Sequence, residues 1–267
     1  MMDIKELIEK TNNVVINGQN IYGGAVNYDK YNQKISVLFT ILGQRCLSGD
    51  VEALKFLYKN AWREDPPYMK TIYELQSSLT SVDIKNDTKG IYNNEFLYYL
   101  GMICLGEVSP VIFKKLDTAA YCFKRIKGEI PKAKARLAYI GILNTKEPTS
   151  SIDNVRRRET LRRWMKNGDL FSRIVLARIS FFHFLEEDQA NDPIRMPMNA
   201  ESLLNKPCQM GHPVAIRFYK EMRDYISSIA SFNARDRWLG YSNIIKPVSK
   251  DKRIAEFRVN PDALLDL

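Results

Sequence analysis

From Ile35 onward, apolar residues recur three and four positions apart, the spacing that places them on one face of an α-helix. The first such stripe consists of Ile35, Leu38, Phe39, Leu42 and Cys46. Stripes of the same period follow one another to about residue 230, with turn residues between them. The pattern predicts an all-α chain over this range.

The boundaries between predicted helices carry a recurring two-residue device. At Gly49-Asp50, the glycine tolerates the positive φ that ends a helix, and the aspartate caps free N–H groups of the next helix. Gly168-Asp169 repeats this device, and Gly211-His212-Pro213 follows the same plan. Looser versions begin at Asn94 and Gly128. These returns predict a repeat protein.

The repeat has a countable period. Its central residues are Leu57, Leu100, Leu137, Leu176 and Tyr219, and the steps between them are 43, 37, 39 and 43 residues. Four positions before them stand Ala53, Phe96, Ala133, Ser172 and Ala215. Each step holds two helices and two turns, which is the size class of helical-hairpin repeats.

Over residues 36–230 this register resembles the Sel1-like repeat family, a relative of the tetratricopeptide repeats. The residues that carry the resemblance are Gly49, Ala53 and Leu57, then Leu100, Gly101 and Cys104, and finally Gly211, Ala215 and Tyr219. The units are degenerate, because Tyr58 and Lys220 stand where the family has a glycine after its central leucine.

The resemblance implies a right-handed α-solenoid of about five stacked antiparallel helical hairpins. We divide the chain accordingly into an irregular N-terminal capping segment (1–34), the solenoid (35–231) and a C-terminal cap and tail (232–267). Members of the family are generally adaptors, and bacterial ones also occur in secretion, host interaction and toxin neutralisation.

Prolines and polar clusters predict the remaining boundaries. Pro66-Pro67 is expected to separate the first repeat helix from its partner helix, and residues 80–93 are expected to form a connecting loop. Ser109-Pro110 is expected to cap and open the second helix of the next hairpin, which ends at Gly128. Pro131 is expected to open the following helix in the same manner.

The N-terminus and the cysteines indicate a cytoplasmic protein. The first ten residues are charged and contain no secretory signal, and no apolar run approaches the ~18 residues of a membrane span. Cys46, Cys104, Cys122 and Cys208 lack the spacing of a metal site or a disulfide framework. We interpret them as reduced core thiols. The alternative is a bridge between Cys104 and Cys122 across one hairpin.

Charge points to an acidic partner. Forty Lys and Arg residues against 31 Asp and Glu give a net charge of +9, which favours acidic proteins or nucleic acid without bearing on fold. The charge is densest in a predicted helix from Ile152 to Asn167. Its basic residues are Arg156, Arg157, Arg158, Arg162, Arg163 and Lys166. Arginine forks match carboxylate and phosphate geometry. The alternative interpretation is a solvated outer helix.

A second candidate surface is the inner wall of the solenoid. In this repeat class the first helix of each hairpin usually lines the concave face. Positions beside the buried central residues would then project inward: Lys55, Lys59, Tyr99, Arg136, Tyr139, Arg178 and Arg217. Tyrosine mixed with arginine and lysine is typical of binding hot spots. The alternative is that the tyrosines are packing residues.

Catalytic chemistry finds no support in the residues. The two histidines, His183 and His212, fall in different units without a carboxylate at helical spacing. No hydrolase, metalloprotease or phosphate-loop motif and no metal-spaced Cys/His group occurs. Glu186-Glu187-Asp188 is interpreted as a loop charge run. We therefore predict no enzyme activity, no cofactor and no metal.

The sequence thus predicts a non-enzymatic scaffold or adaptor that binds an acidic protein or peptide on a basic, tyrosine-containing concave face and does not bind membranes. From the family resemblance, a specialised form is a bacterial immunity, antitoxin or secretion-related protein. The alternative function is a nucleic-acid-binding repeat protein that uses the Arg156–Arg163 helix.

Overall fold

The computed structural model describes residues 3–20, 28–87, 90–126, 128–145, 151–186, 195–228 and 257–265. Within these ranges all regular elements are helical and no strand occurs, so the predicted all-α class is confirmed. The helices are α1 (Ile4–Asn20), α2 (Tyr28–Leu47), α3 (Val51–Asn60), α4 (Pro66–Ser78), α5 (Ser81–Lys85), α6 (Asn94–Leu105), α7 (Leu116–Ile126), α8 (Ala133–Leu143), α9 (Ile152–Lys166), α10 (Leu170–Glu186), α11 (Arg195–Gln209) and α12 (Pro213–Ser228). Short 3₁₀ turns span Ala61–Arg63 and Pro261–Leu264.

The chain divides into two compact units, residues 1–133 and 134–267. In the first unit α2 packs against α1 and α4, α3 packs against α6, and α6 packs against α7. In the second unit α10 packs against both α9 and α11, and α11 packs against α12. In the second unit, helices that are neighbours in sequence thus pack against each other, as expected for helical hairpins, whereas in the first unit α2–α4 and α3–α6 pack across intervening helices.

The α6–α7 hairpin depends on a glycine at its crossing point. A Cβ atom added to Gly101 would lie 2.8 Å from the ring of Phe123, so no larger residue fits without movement of that ring. At the loop end, the Lys115 N–H donates to the Cys104 carbonyl at 2.7 Å. The two helices therefore run antiparallel in close contact.

Three helix junctions share one backbone geometry. Gly49, Gly168 and Gly211 have φ values of +86°, +97° and +77°. At each, the glycine N–H donates to the carbonyl three residues earlier, and the N–H of the next residue donates to the carbonyl five residues before it. This is the Schellman C-cap, which satisfies the last free carbonyls of a helix. The predicted glycine stop is confirmed at these three positions.

Burial supports the predicted repeat register. The five residues four positions before the centres are fully buried at 0% exposure: Ala53, Phe96, Ala133, Ser172 and Ala215. Of the central residues, Leu57, Leu100, Leu176 and Tyr219 are buried, and Leu137 is half-buried. The same face of each repeat helix therefore points into a core.

The N-terminal segment is helical where the sequence suggested irregular structure. Residues 4–20 form α1, and α2 already begins at Tyr28. Leu7 is fully buried, and α1 packs against α2. Asn12, Asn13 and Gly18 favoured turns in the prediction, but helix propensity is a weak guide that tertiary packing overrides.

Two predicted boundaries also shift. Ser109-Pro110 lies in a turn rather than at a helix start, and the second helix of that hairpin begins at Leu116. In the turn, the Ser109 hydroxyl accepts the Val111 N–H at 3.2 Å. Pro131 likewise precedes α8 rather than opening it. The 80–93 connection contains the short helix α5, which a Thr80–Asp83 capping box starts.

The described C-terminal residues 257–265 pack on the second unit. The Asn260 N–H donates to the Gly211 carbonyl at 2.8 Å, and the Phe257 and Tyr219 rings are 6.3 Å apart. These contacts cover the junction between α11 and α12. The rest of the predicted C-terminal cap, residues 232–256, lies outside the described residues.

All four cysteines are free and buried, which confirms core thiols and leaves the Cys104–Cys122 bridge unformed. Burial raises the pKa of the Cys104 thiol to about 12. Such thiols are weak nucleophiles at neutral pH. Among the described helices, none combines the length and the apolar character that crossing a membrane requires.

Candidate functional site

The basic helix forms where its charges predicted it, as α9. The Ser151 side chain caps it by accepting the Asn154 N–H at 3.3 Å. Leu161, at 0% exposure, anchors the helix in the core of the second unit. On the neighbouring α8, Gly141 leaves room for Arg157, whose Nε would lie 2.7 Å from a Cβ at that position. Arg157 is therefore a packing residue between α8 and α9.

The six predicted basic residues divide between different faces of α9. Arg158, Arg162 and Lys166 stand four residues apart and share one face, so they form a row about 12 Å long. At about 100° per residue, Arg156 and Arg163 lie about 120° and 100° around the helix from the middle of this row, and both are exposed, the Arg156 side chain at 79%. We call Arg158, Arg162 and Lys166 the inner row and Arg156 with Arg163 the outer pair; a binding role for these residues stays a prediction.

The inner row borders a cavity of about 510 Å³ between α9, α10 and α11, which we call the basic groove. Its lining residues are Arg158, Arg162, Met165 and Lys166 from α9, Leu176, Ile179 and Ser180 from α10, and Asn199, Ser202 and Leu203 from α11. The sequence predicted the cations but not the walls, because the walls come from helices packed against α9 in the fold.

The groove combines positive charge with an apolar floor. Among the residues that the structure describes, its lining contains three cations and no carboxylate; the others are three aliphatic residues, Met165 and three polar side chains. Just outside it, Arg162 is paired with Glu159 on the same helix, and both side chains are at least half exposed. Such solvent-exposed pairs are weak and exchange readily for a better-placed carboxylate. The groove is therefore suited to an anionic ligand that also carries aliphatic groups.

Three of the predicted wall residues are buried and are removed from that surface: Tyr99, Arg136 and Tyr139. Tyr99 packs between the rings of Tyr58 and Tyr98, with centroids 5.6 Å away in each case. Tyr139 packs edge-on against Phe171 at 5.7 Å. Tyr99 is buried because α6 packs against both α3 and α7, and Tyr139 is buried where it meets Phe171 of α10.

Lys55 and Lys59 in the first unit are partly exposed. Lys55 bridges Glu52, at 3.2 Å, and Glu95. Burial alone would lower the Lys55 pKa, but the hydrogen bonds to Glu95 and Glu52 raise it overall. Lys55 thus already has two carboxylate partners.

Arg178 and Arg217 are the partly exposed wall candidates of the second unit. The Arg178 guanidinium lies over the Phe218 ring at 5.3 Å, and Arg217 Nε is 3.7 Å from Glu221 Oε1. Burial, with a contribution from neighbouring Arg217, lowers the Arg178 pKa to about 10. A partner-binding role for the four partly exposed wall residues stays a prediction.

A buried polar cluster of Arg136, Asp169 and His212 lies in the second unit, and sequence reasoning missed it. Arg136 Nη1 donates to Asp169 Oδ2 at 2.6 Å, and the two side chains are 1% and 0% exposed. The same carboxylate oxygen accepts the Ser172 N–H at 3.1 Å. Phe171 covers the Arg136 guanidinium at 4.3 Å. The cluster fixes the start of α10, one wall of the basic groove.

The cluster shifts two pKa values. Burial would raise the Asp169 pKa, but the charge and hydrogen bonds of Arg136 and Ser172 lower it overall. Burial lowers the His212 pKa to about 4, with Asp169 opposing and Arg136 adding to this shift. One signal in the sequence marks the cluster: the register position of Arg136 holds apolar or aromatic residues in the other units, namely Phe56, Tyr99, Val175 and Phe218.

In the described part of the chain, no three His, Cys, Asp or Glu side chains are placed to hold a metal ion. The His183 side chain lies outside the described residues, and His212 is buried. Comparisons with protein-family models, with curated proteins and with solved structures find no match to this chain.

Proposed function

We propose that the protein is a non-enzymatic adaptor whose second unit binds an acidic segment of a partner protein in the basic groove. The observation that carries this proposal is the row of Arg158, Arg162 and Lys166 beside aliphatic residues, in a groove whose described lining residues include no carboxylate. Arginine and lysine bind carboxylates, and the floor contributes apolar burial on binding. Shape and complementary charge then set specificity without any chemical step.

The proposed architecture is a right-handed α-solenoid of the Sel1-like type with about five hairpins. Two features support it: Schellman junctions stand eight residues before the centre in three of the five units, and the positions four residues before all five centres are fully buried. In repeat proteins of this kind each hairpin buries its apolar face on its neighbours. A bacterial immunity or antitoxin role is the specialised form of this proposal, with an acidic toxin surface as the partner.

Nucleic acid is the second candidate ligand. The exposed outer pair, Arg156 and Arg163, favours it, because solvent-facing arginines on a helix can contact backbone phosphates. Against it, sequence-independent binding of single strands also uses aromatic side chains as stacking platforms, and the lining residues that the structure describes include none. An acidic protein segment fits better because it offers carboxylates and aliphatic side chains together.

A salt titration separates the two ligands. The full-length protein is titrated with a peptide rich in Glu and Leu, and separately with DNA and RNA of matched charge, between about 50 and 200 mM salt. We expect the peptide to lose less than about tenfold in affinity, because apolar contacts persist in salt, and nucleic acid to bind more weakly at the upper end. Nucleic-acid binding that is tighter than peptide binding at the upper end, and that Arg156→Glu/Arg163→Glu abolishes, would overturn the proposal.

A further inference from the structure

We propose that the basic groove receives its partner as one amphipathic α-helix with an acidic residue at every fourth position. This inference rests on the proposed function and specifies the class of partner. Three features of the groove carry it: the spacing of its cations, the kind of elements that line it, and the placement of its apolar floor.

The cation spacing is that of a helix. Arg158, Arg162 and Lys166 lie on successive turns of α9, about 6 Å apart along its axis. A second helix aligned with α9 presents residues i, i+4 and i+8 at the same interval. Glutamates at those three positions would each face one cation, so that the two charge rows stay in register along their whole length.

The lining elements favour an occupant that satisfies its own backbone. All ten lining residues lie within α9, α10 or α11, and the backbone groups in helix interiors are already hydrogen-bonded. An extended peptide would place its N–H and C=O groups against these walls without a strand edge to pair with. Ser180, Asn199 and Ser202 supply only a few polar atoms in compensation. A helix carries no such cost.

The apolar floor sets the second face of the occupant. Leu176, Ile179 and Leu203 lie beside the cation row, and Met165 adds a flexible side chain that adapts to irregular shapes. A volume of about 510 Å³ suits side chains projecting from one helix face rather than a whole helix. The occupant therefore has an acidic stripe towards α9 and an adjacent aliphatic stripe towards α10 and α11.

The test compares three labelled peptides of one composition, each about four helical turns long, by fluorescence anisotropy with the full-length protein. The first carries Glu at every fourth position beside a Leu stripe, with one proline at its N-terminus. The second distributes the same residues around the helix. The third keeps the pattern of the first but has the proline at its centre, where it interrupts the helix. We expect the first to bind at least about tenfold more tightly than the others, because both lose the paired stripes.

Two protein variants with the same change in net charge serve as the matched pair. Arg162→Glu/Lys166→Glu reverses the groove row, and we expect it to weaken the first peptide by about tenfold or more. Arg156→Glu/Arg163→Glu reverses the outer pair on the same helix and should stay within about twofold of the native protein. Circular dichroism and thermal melting of both variants check that α9 remains folded.

The outcomes distinguish this inference from the proposed function. If all three peptides bind equally and the groove variant weakens all three, an acidic segment still binds the groove and the helical partner is wrong. If no peptide binds, or if the outer variant weakens binding as much as the groove variant, the proposed function fails as well. Self-association of the unliganded protein that only the groove variant abolishes would make a second copy the occupant and overturn the inference.

Discussion

Replacing Asp169 with Asn is expected to lower the free energy of unfolding by about 3–5 kcal/mol. Asparagine caps helices as well as aspartate does, so the Ser172 N–H keeps an acceptor and the loss is that of charge. Arg136 would then remain buried at 1% exposure without its counter-charge. An uncompensated buried guanidinium is far more costly than a missing exposed pair.

The chain offers a matched control for this variant. Asp50 occupies the same position after a Schellman glycine and caps α3 by accepting the Ala53 N–H at 3.1 Å. Its partner Arg45 is 3.2 Å away, but the two side chains are 26% and 18% exposed. We therefore expect Asp50→Asn to cost less than about 1 kcal/mol.

Urea unfolding of the two single variants, and of Arg136→Met/Asp169→Asn, measures the difference. The double variant should recover much of the loss, because an apolar side chain replaces the stranded charge. Equal costs for Asp169→Asn and Asp50→Asn would show that the buried cluster contributes no more than an ordinary helix cap.

Acid is expected to destabilise the protein by about 3 kcal/mol between pH ~6.5 and ~4, through His212. Burial lowers the pKa of His212 from 6.5 to about 4 in the folded state. In this window the unfolded chain binds a proton that the folded chain does not, so stability falls as pH falls. Asp169 acts in a lower window: its lowered pKa contributes stability above its ordinary value of 3.8, and this is lost as pH falls through the folded pKa.

The pH dependence is measured by urea unfolding at several values across that window, for the native protein and for His212→Asn. Asparagine suits the start of α12, because it is a favoured capping residue and does not titrate. The variant should lose most of the fall in stability between pH ~6.5 and ~4. An unchanged fall in the variant would assign the acid sensitivity to other groups.

Local backbone chemistry explains what the sequence predicted well. A glycine followed by a capping residue determines the hydrogen bonds of a helix end on its own, and Gly49, Gly168 and Gly211 behave as expected. The buried positions four residues before the predicted centres were equally accessible, because a period of three and four marks one buried stripe for each helix. The predicted helix start at Ser109 was wrong, because a serine hydroxyl can stabilise a turn as well as cap a helix.

Which faces of each helix are buried was less predictable, because burial depends on the other helices that pack against it in the fold. Ten consecutive residues of α6, Phe96 to Leu105, are buried, so its periodicity does not distinguish an inner from an outer side. Tyr99 was wrongly predicted to be exposed for this reason. Arg136 was wrongly predicted to be exposed because its carboxylate partner, Asp169, stands 33 residues away in the sequence. The cations of the basic groove could be predicted, because they lie on consecutive turns of one helix. Its aliphatic residues could not, because they come from two other helices.

The most direct test of groove binding is methyl NMR of the full-length protein titrated with the acidic peptide. Met165 lines the groove and its methyl signal is assigned by Met165→Leu, while buried Met69 and Met102 in the first unit serve as references. We predict that the Met165 signal shifts in proportion to peptide bound while the two references stay in place. A bound peptide that leaves Met165 unshifted would place the binding surface elsewhere and contradict the account.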